Sequence, residues 1–145
     1  MRPTSLLATA KHFAAYGAAE GGRDYNVAAI GERQMWEVYL PPFEAAVRAG
    51  VGSLMASFNE IDGTPAHASH WLLTDVLRDR WKFDGLVVSD WDGVDEVQGC
   101  SKDKCAQAVN AGDDAVLLAA SDAGKVVGAI DEAVARGVPV FPAKM

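Results

Sequence analysis

Four short apolar runs recur along the chain, at residues 6–13 (LLATAKHF), 51–58 (VGSLMASF), 85–89 (GLVVS) and 115–119 (AVLLA). Each gives way to a polar or Gly-containing loop and then to a longer helical pattern. That alternation constrains the fold more than any other feature, because it is the pattern of βα units whose strands pair in parallel. Residues 32–48 place Met35, Trp36, Tyr39, Phe43, Ala46 and Val47 at mostly helical spacings, with Gly50 as a stop and Pro41-Pro42 as a forced break or kink. Residues 69–81 open on Ser69 as a cap and carry Trp71, Leu72, Val76, Leu77 and Trp81. Residues 102–111 and 123–136 complete the set, closed by Gly112 and Gly137, and 138–145 (VPVFPAKM) either starts a fifth strand or trails off.

No linker, repeat or low-complexity tract interrupts this order, so residues 1–145 read as one α/β domain. The chain is well short of the roughly 250 residues of a complete (β/α)8 barrel. Four βα units in a row therefore fit half of a TIM barrel or a small open doubly wound sheet, and periodicity does not choose between them.

The charge balance removes whole classes of function. With 13 Lys+Arg against 20 Asp+Glu, the net charge is -7, which leaves no clustered cations for nucleic acid or an anionic membrane. No run approaches the roughly 18 apolar residues of a membrane helix, and the opening MRPTSLLATAKHF has too short an apolar stretch for a signal peptide, which leaves a mature or internal start open. Cys100 and Cys105 close a hydrophilic loop, GCSKDKC, without nearby His ligands, so zinc is not expected. A loop-pinning disulfide in an exported protein and two free thiols both remain open.

In parallel α/β folds ligands meet the C-terminal ends of the strands, and here those ends are polar. Lys11-His12 and EGGRDYN (residues 20–26) follow the first run, Asn59-Glu60 and DGTP (62–65) the second, and Ser89-Asp90-Trp91-Asp92 the third. A carboxylate such as Asp90, at a strand terminus beside an aromatic face, suits sugar chemistry; it equally suits a helix cap or turn. Lys11 and His12 both reach the mouth only if the strand bulges there; otherwise Lys11 snorkels to solvent and His12 is a half-buried ring. Gly21-Gly22 fits neither phosphate-loop pattern, and His67-x-x-His70 would put two imidazoles on one helical face, but no third ligand is evident and a solvated helix entrance is the expected reading. Trp36, Trp71 and Trp81 fall in amphipathic patterns and are assigned to packing, whereas Trp91 lies outside any such pattern.

Taken together, AKHFAAYGAAEGGRDYN, YLPPFEAAVRAGVGSLMASFNEIDGTPAHAS, WLLTDVLRDRWKFDGLVVSDW and CAQAVNAGDDAVLL resemble the glycoside hydrolase family 3 β-glucosidases, over about residues 6–118. The resemblance implies the C-terminal half of that family's catalytic barrel. It implies that Asp90 is the nucleophile, that Trp91 lines the sugar subsite, and that Lys11 and His12 hold hydroxyls of the glycone. Met55 falls near the same subsite, and Asp24 is a further candidate. A cation such as Lys11 beside the site would favour the ionised nucleophile.

The implied activity is retaining hydrolysis of terminal β-D-glucosidic bonds in β-glucosides or cello-oligosaccharides, without metal or cofactor, in carbohydrate metabolism such as cellulose degradation. A periplasmic or extracellular location follows from the same resemblance. The family's acid/base Glu and its upstream glycone residues have no counterpart here, and nothing singles out Glu20, Glu60, Asp92 or Asp95 as a substitute. The isolated chain is therefore expected to turn over poorly, and to self-associate or pair with a complementary fragment. A non-catalytic sugar-binding remnant and a flavodoxin-like ligand-binding domain are the competing readings.

Overall fold

The computed structural model describes residues 6–98 and 106–112. The fourth apolar run, the helical pattern at 123–136, Gly137 and the Cys100/Cys105 pair lie outside the described residues. So do 102–105 of the third helical pattern, whose remainder forms α5 at Ala106–Ala111, ahead of Gly112.

Three strands carry the architecture: β1 (Thr9–Phe13), β3 (Ser53–Ala56) and β6 (Leu86–Val88). They form one parallel sheet in the order β1-β3-β6, with Ser53 paired to Thr9 on one side and to Leu86 on the other. Each strand is part of an apolar run rather than the whole of it. Leu6 and Leu7 stand before β1 and are 97% and 45% exposed, so the first run starts outside the sheet. Between the strands the chain crosses back through helices, as the alternation requires.

The first crossover follows the sequence pattern, with a detail set by its prolines. It consists of α1 (Glu32–Gln34), a wide π-type turn α2 (Met35–Tyr39) and α3 (Pro41–Arg48). Pro41 and Pro42 have no N–H to return to the preceding turn, and the Leu40 N–H reaches back five residues to the Met35 carbonyl at 2.9 Å. α3 then packs on β1. The second crossover, α4 (Trp71–Arg80), is also of π type, and Ser69 caps it as expected: its Oγ accepts the Leu72 N–H at 3.3 Å.

The core lies between the sheet and these helices. Phe13, Leu54, Ala56 and Val87 from the strands meet Met35, Leu40, Leu72, Leu73, Val76 and Leu77 from the crossovers. Trp36, Trp71 and Trp81 are partly buried against it, with Trp36 and Trp71 edge to face at 5.9 Å. Arg78 anchors the entry to β6, donating from Nη1 to the carbonyls of Phe83 at 3.0 Å and Gly85 at 2.7 Å. Arg78→Met keeps the aliphatic stem but frees both carbonyls. We expect a loss of about 2 kcal/mol, read as a lower urea midpoint at unchanged slope.

The alternation of apolar runs and helices predicts plain loop over residues 59–65. Instead β4 (Glu60–Ile61) and β5 (Thr64–Pro65) form an antiparallel hairpin, and β2 (Val27–Ala28) adds to it in parallel. Asp62 and Gly63 turn the hairpin with φ of 49° and 81°, the two positive values that a type I′ turn requires. This small second sheet ties the loop after β1 to the loop after β3.

Candidate active site

The parallel strands of the main sheet end together at Phe13, Ala56 and Val88, and the loops that follow meet over that edge. β1 bulges on its way there. Ala10 pairs with Leu54 and Phe13 with Ala56, so β1 spends one residue more than β3 over the same stretch. Phe13 is fully buried while His12 is half-buried at the mouth. Lys11 is exposed and makes no ion pair among the described residues.

Asp90 lies two residues beyond β6 and is 4% exposed. Its Oδ1 accepts the Trp91 N–H at 2.8 Å, while Oδ2 is buried without a hydrogen bond and lies 3.5 Å from His12 Nε2. An orphaned buried oxygen costs about 1–3 kcal/mol. Trp91 beside it is 55% exposed.

The floor of the mouth is a buried polar network. Ser57 donates its N–H to the Phe13 carbonyl at 2.7 Å and its hydroxyl to Asn59 Oδ1; Asn59 Nδ2 donates to the carbonyls of Ala14 at 3.4 Å and Glu60 at 3.2 Å. Below the Asp90 loop sits His67, fully buried in the turn before α4. A Cβ on Gly93 would come within 2.5 Å of His67 Nε2, so only glycine fits there. His70 is exposed and faces Asp75 at 3.1 Å, and the described residues hold no group of three metal ligands.

Three aromatic residues complete the mouth, and sequence reasoning assigned a role to none of them. Phe58 stacks on Tyr25 at 4.2 Å and meets Tyr16 edge-on at 5.4 Å; Tyr16 in turn lies 4.8 Å from the His12 ring. Tyr25 donates its hydroxyl to the Trp91 carbonyl at 3.0 Å, and Tyr16 donates to Asp24 Oδ1 at 2.9 Å. Asp24 thus reaches the cluster through Tyr16. Met55 lies half-buried on β3, paired with Val88.

Both phenols are pushed above the usual 10.0. Tyr16 rises chiefly because its hydroxyl is bonded to Asp24, and Tyr25 through burial and then the negative charges of Asp92, Asp90, Asp24 and Glu96. The folded chain holds these protons longer than the unfolded chain does. Their contribution to stability is therefore complete below the unfolded value and lost as pH rises through the folded ones. In ultraviolet titration we expect both phenolates to form at higher pH in the native than in the urea-unfolded chain. Replacing both with Phe should flatten the decline in stability above about pH 10.

Parallel βα units with their polar residues gathered at the strand C-termini define a domain of the α/β barrel type. A model of the glycosyl hydrolase family 3 N terminal domain matches residues 1–140, and the chain belongs to that family. This sets aside the flavodoxin-like reading. The chain is 45% identical over 93 residues to a periplasmic β-glucosidase of Salmonella typhimurium, covering 64% of this chain and 12% of that protein. It is similar to the crystal structure of an exo-1,3/1,4-β-glucanase from a Pseudoalteromonas species, with a TM-score of 0.79 and 38% identity over 91% of this chain and 16% of that one. It is also similar to a β-glucosidase from Listeria innocua in complex with glucose, with a TM-score of 0.74 and 35% identity over 91% of this chain and 18% of that one. The chain spans less than a fifth of the length of each. No helix among the described residues is long and apolar enough to cross a membrane.

Proposed function

We propose that this chain supplies the nucleophile side of a retaining β-glucosidase site, with Asp90 as the nucleophile. The observation that carries the reading is the asymmetry of its carboxylate: Oδ1 is held by the Trp91 N–H, while the buried Oδ2 has no donor and faces His12 across 3.5 Å. Oδ2 forms a bond to the anomeric carbon as the glycosidic C–O bond breaks and a carboxylic acid protonates the departing oxygen. Water then adds to that carbon and releases Asp90. His12 and Lys11 hold glycone hydroxyls, Trp91 offers its exposed ring to the sugar, and Met55 and Asp24 border the same subsite.

The substrate is a β-glucoside or cello-oligosaccharide, consistent with relatives named β-glucosidase, one of them in complex with glucose, and the role is in carbohydrate metabolism such as cellulose degradation. The relative named periplasmic supports a periplasmic or extracellular setting. None of Glu20, Glu60, Asp92 and Asp95 is assigned the acid's part. Where no acid completes the site, turnover falls by about 10²- to 10⁴-fold, and self-association or pairing with a complementary fragment is the route to recovery.

An activated fluorinated glucoside tests the reading without needing that acid, because its leaving group departs unprotonated while the fluorine slows release of the intermediate. We expect the sugar to be found on the peptide that contains Asp90. Labelling of another carboxylate would overturn the assignment, and glucose binding by calorimetry without any labelling would favour the non-catalytic remnant.

A further inference from the structure

We propose that Tyr25 is a positioning residue for the Asp90 carboxylate, acting through the backbone of Trp91; this rests on the reading of Asp90 as the nucleophile. The backbone of Trp91 is gripped at both ends. Its N–H binds Asp90 Oδ1 at 2.8 Å, and its carbonyl accepts the Tyr25 hydroxyl at 3.0 Å. The first bond is local and can swing with the loop, since donor and acceptor belong to adjacent residues. The second cannot, because Tyr25 reaches in from 66 residues away.

Tyr25 is itself held. Its ring stacks on Phe58, which is 9% exposed, and its backbone keeps a φ of 61° that side-chain-bearing residues seldom adopt. On the other side of the turn Gly93 rests on His67, and its N–H returns to the Asp90 carbonyl at 3.3 Å. The turn is thus closed from below by His67 and tied from the facing loop by Tyr25. Oδ1 is committed to the Trp91 N–H, which leaves Oδ2 turned to His12.

A phenylalanine at position 25 would stack on Phe58 equally well. What the hydroxyl adds is the bond to the Trp91 carbonyl, and the surrounding carboxylates keep that hydroxyl protonated and able to donate.

Tyr25→Phe isolates this contribution in the full 145-residue chain. We expect its melting temperature to stay within a few degrees of the native value, with Trp91 amide hydrogen exchange about fivefold faster, the change typical of one lost hydrogen bond. Labelling of Asp90 by the fluorinated glucoside should slow by a similar factor at unchanged glucose affinity. In the unmodified chain, deuterating the Tyr25 hydroxyl should shift the Trp91 carbonyl carbon resonance, a reading that needs no variant. Equal Trp91 protection in both chains, or no isotope shift, would overturn the proposal. Faster Trp91 exchange with no labelling of Asp90 in the native chain would leave the clamp standing and remove the nucleophile reading instead. Labelled Asp90 with unaltered Trp91 exchange would remove the clamp alone.

Discussion

Asp90→Ala is expected to bring turnover of an activated aryl β-glucoside down to the uncatalysed rate, a loss on the order of 10⁴-fold or more where the native activity is high enough to measure it. The size follows from the role. A nucleophile removed outright leaves the covalent route closed, whereas a residue that only binds sugar costs a small multiple. The loop itself should survive: the turn keeps the Gly93 N–H on the Asp90 carbonyl and the Tyr25 hydroxyl on the Trp91 carbonyl, neither of which needs the carboxylate. Truncation also empties a small space beside His12. Azide should enter it, attack the anomeric carbon from the face Asp90 used, and yield an α-glucosyl azide. Turnover unchanged in Asp90→Ala would sink the nucleophile assignment.

Phe13→Ala is expected to have the largest effect on stability. Phe13 is fully buried, lies edge-on to Phe43 at 5.1 Å and 5.9 Å from Trp81, and so joins β1 to α3 and to the end of α4. Removing such a ring costs about 3–5 kcal/mol against the roughly 5–15 kcal/mol that holds a domain together. A fall in melting temperature of about 10–20 °C should follow. Phe13→Leu, which keeps most of the volume, should cost less than about 1.5 kcal/mol. A shift of only a few degrees in the alanine variant would show that Phe13 does not join these elements. The position matters to the site as well, because Phe13 fixes the strand one residue from His12.

The main sheet was legible because its strands are apolar runs set between helices with clear stops and caps, such as Ser69 and the Pro41-Pro42 break. The hairpin at Glu60–Ile61 and Thr64–Pro65 was not, since two-residue strands show no alternation and their parallel partner at Val27–Ala28 is remote in the chain. Asp90, Trp91 and His12 could be found as polar residues at strand ends. Lys11 is legible beside His12 by adjacency, but the difference in exposure between them, Lys11 exposed and His12 half-buried, comes from the fold. Tyr16 and Tyr25 gave no signal, because aromatic rings in an aperiodic loop acquire a purpose only when the fold brings that loop over Phe58 and Trp91. His67 was visible in a His-x-x-His spacing, but its burial under Gly93 depends on a close approach that spacing does not encode.

The extra residue between Ala10 and Phe13 also fixes how this segment can change in length. Side chains alternate along a strand, so deleting one residue there would restore a regular ladder while exchanging the inward and outward sets. Either Phe13 would leave the core or His12 would leave the mouth. Substitutions in AKHF are open to the chain, but single insertions and deletions are closed to it, and any redesign that grafts this edge onto another barrel must carry the irregular strand across intact.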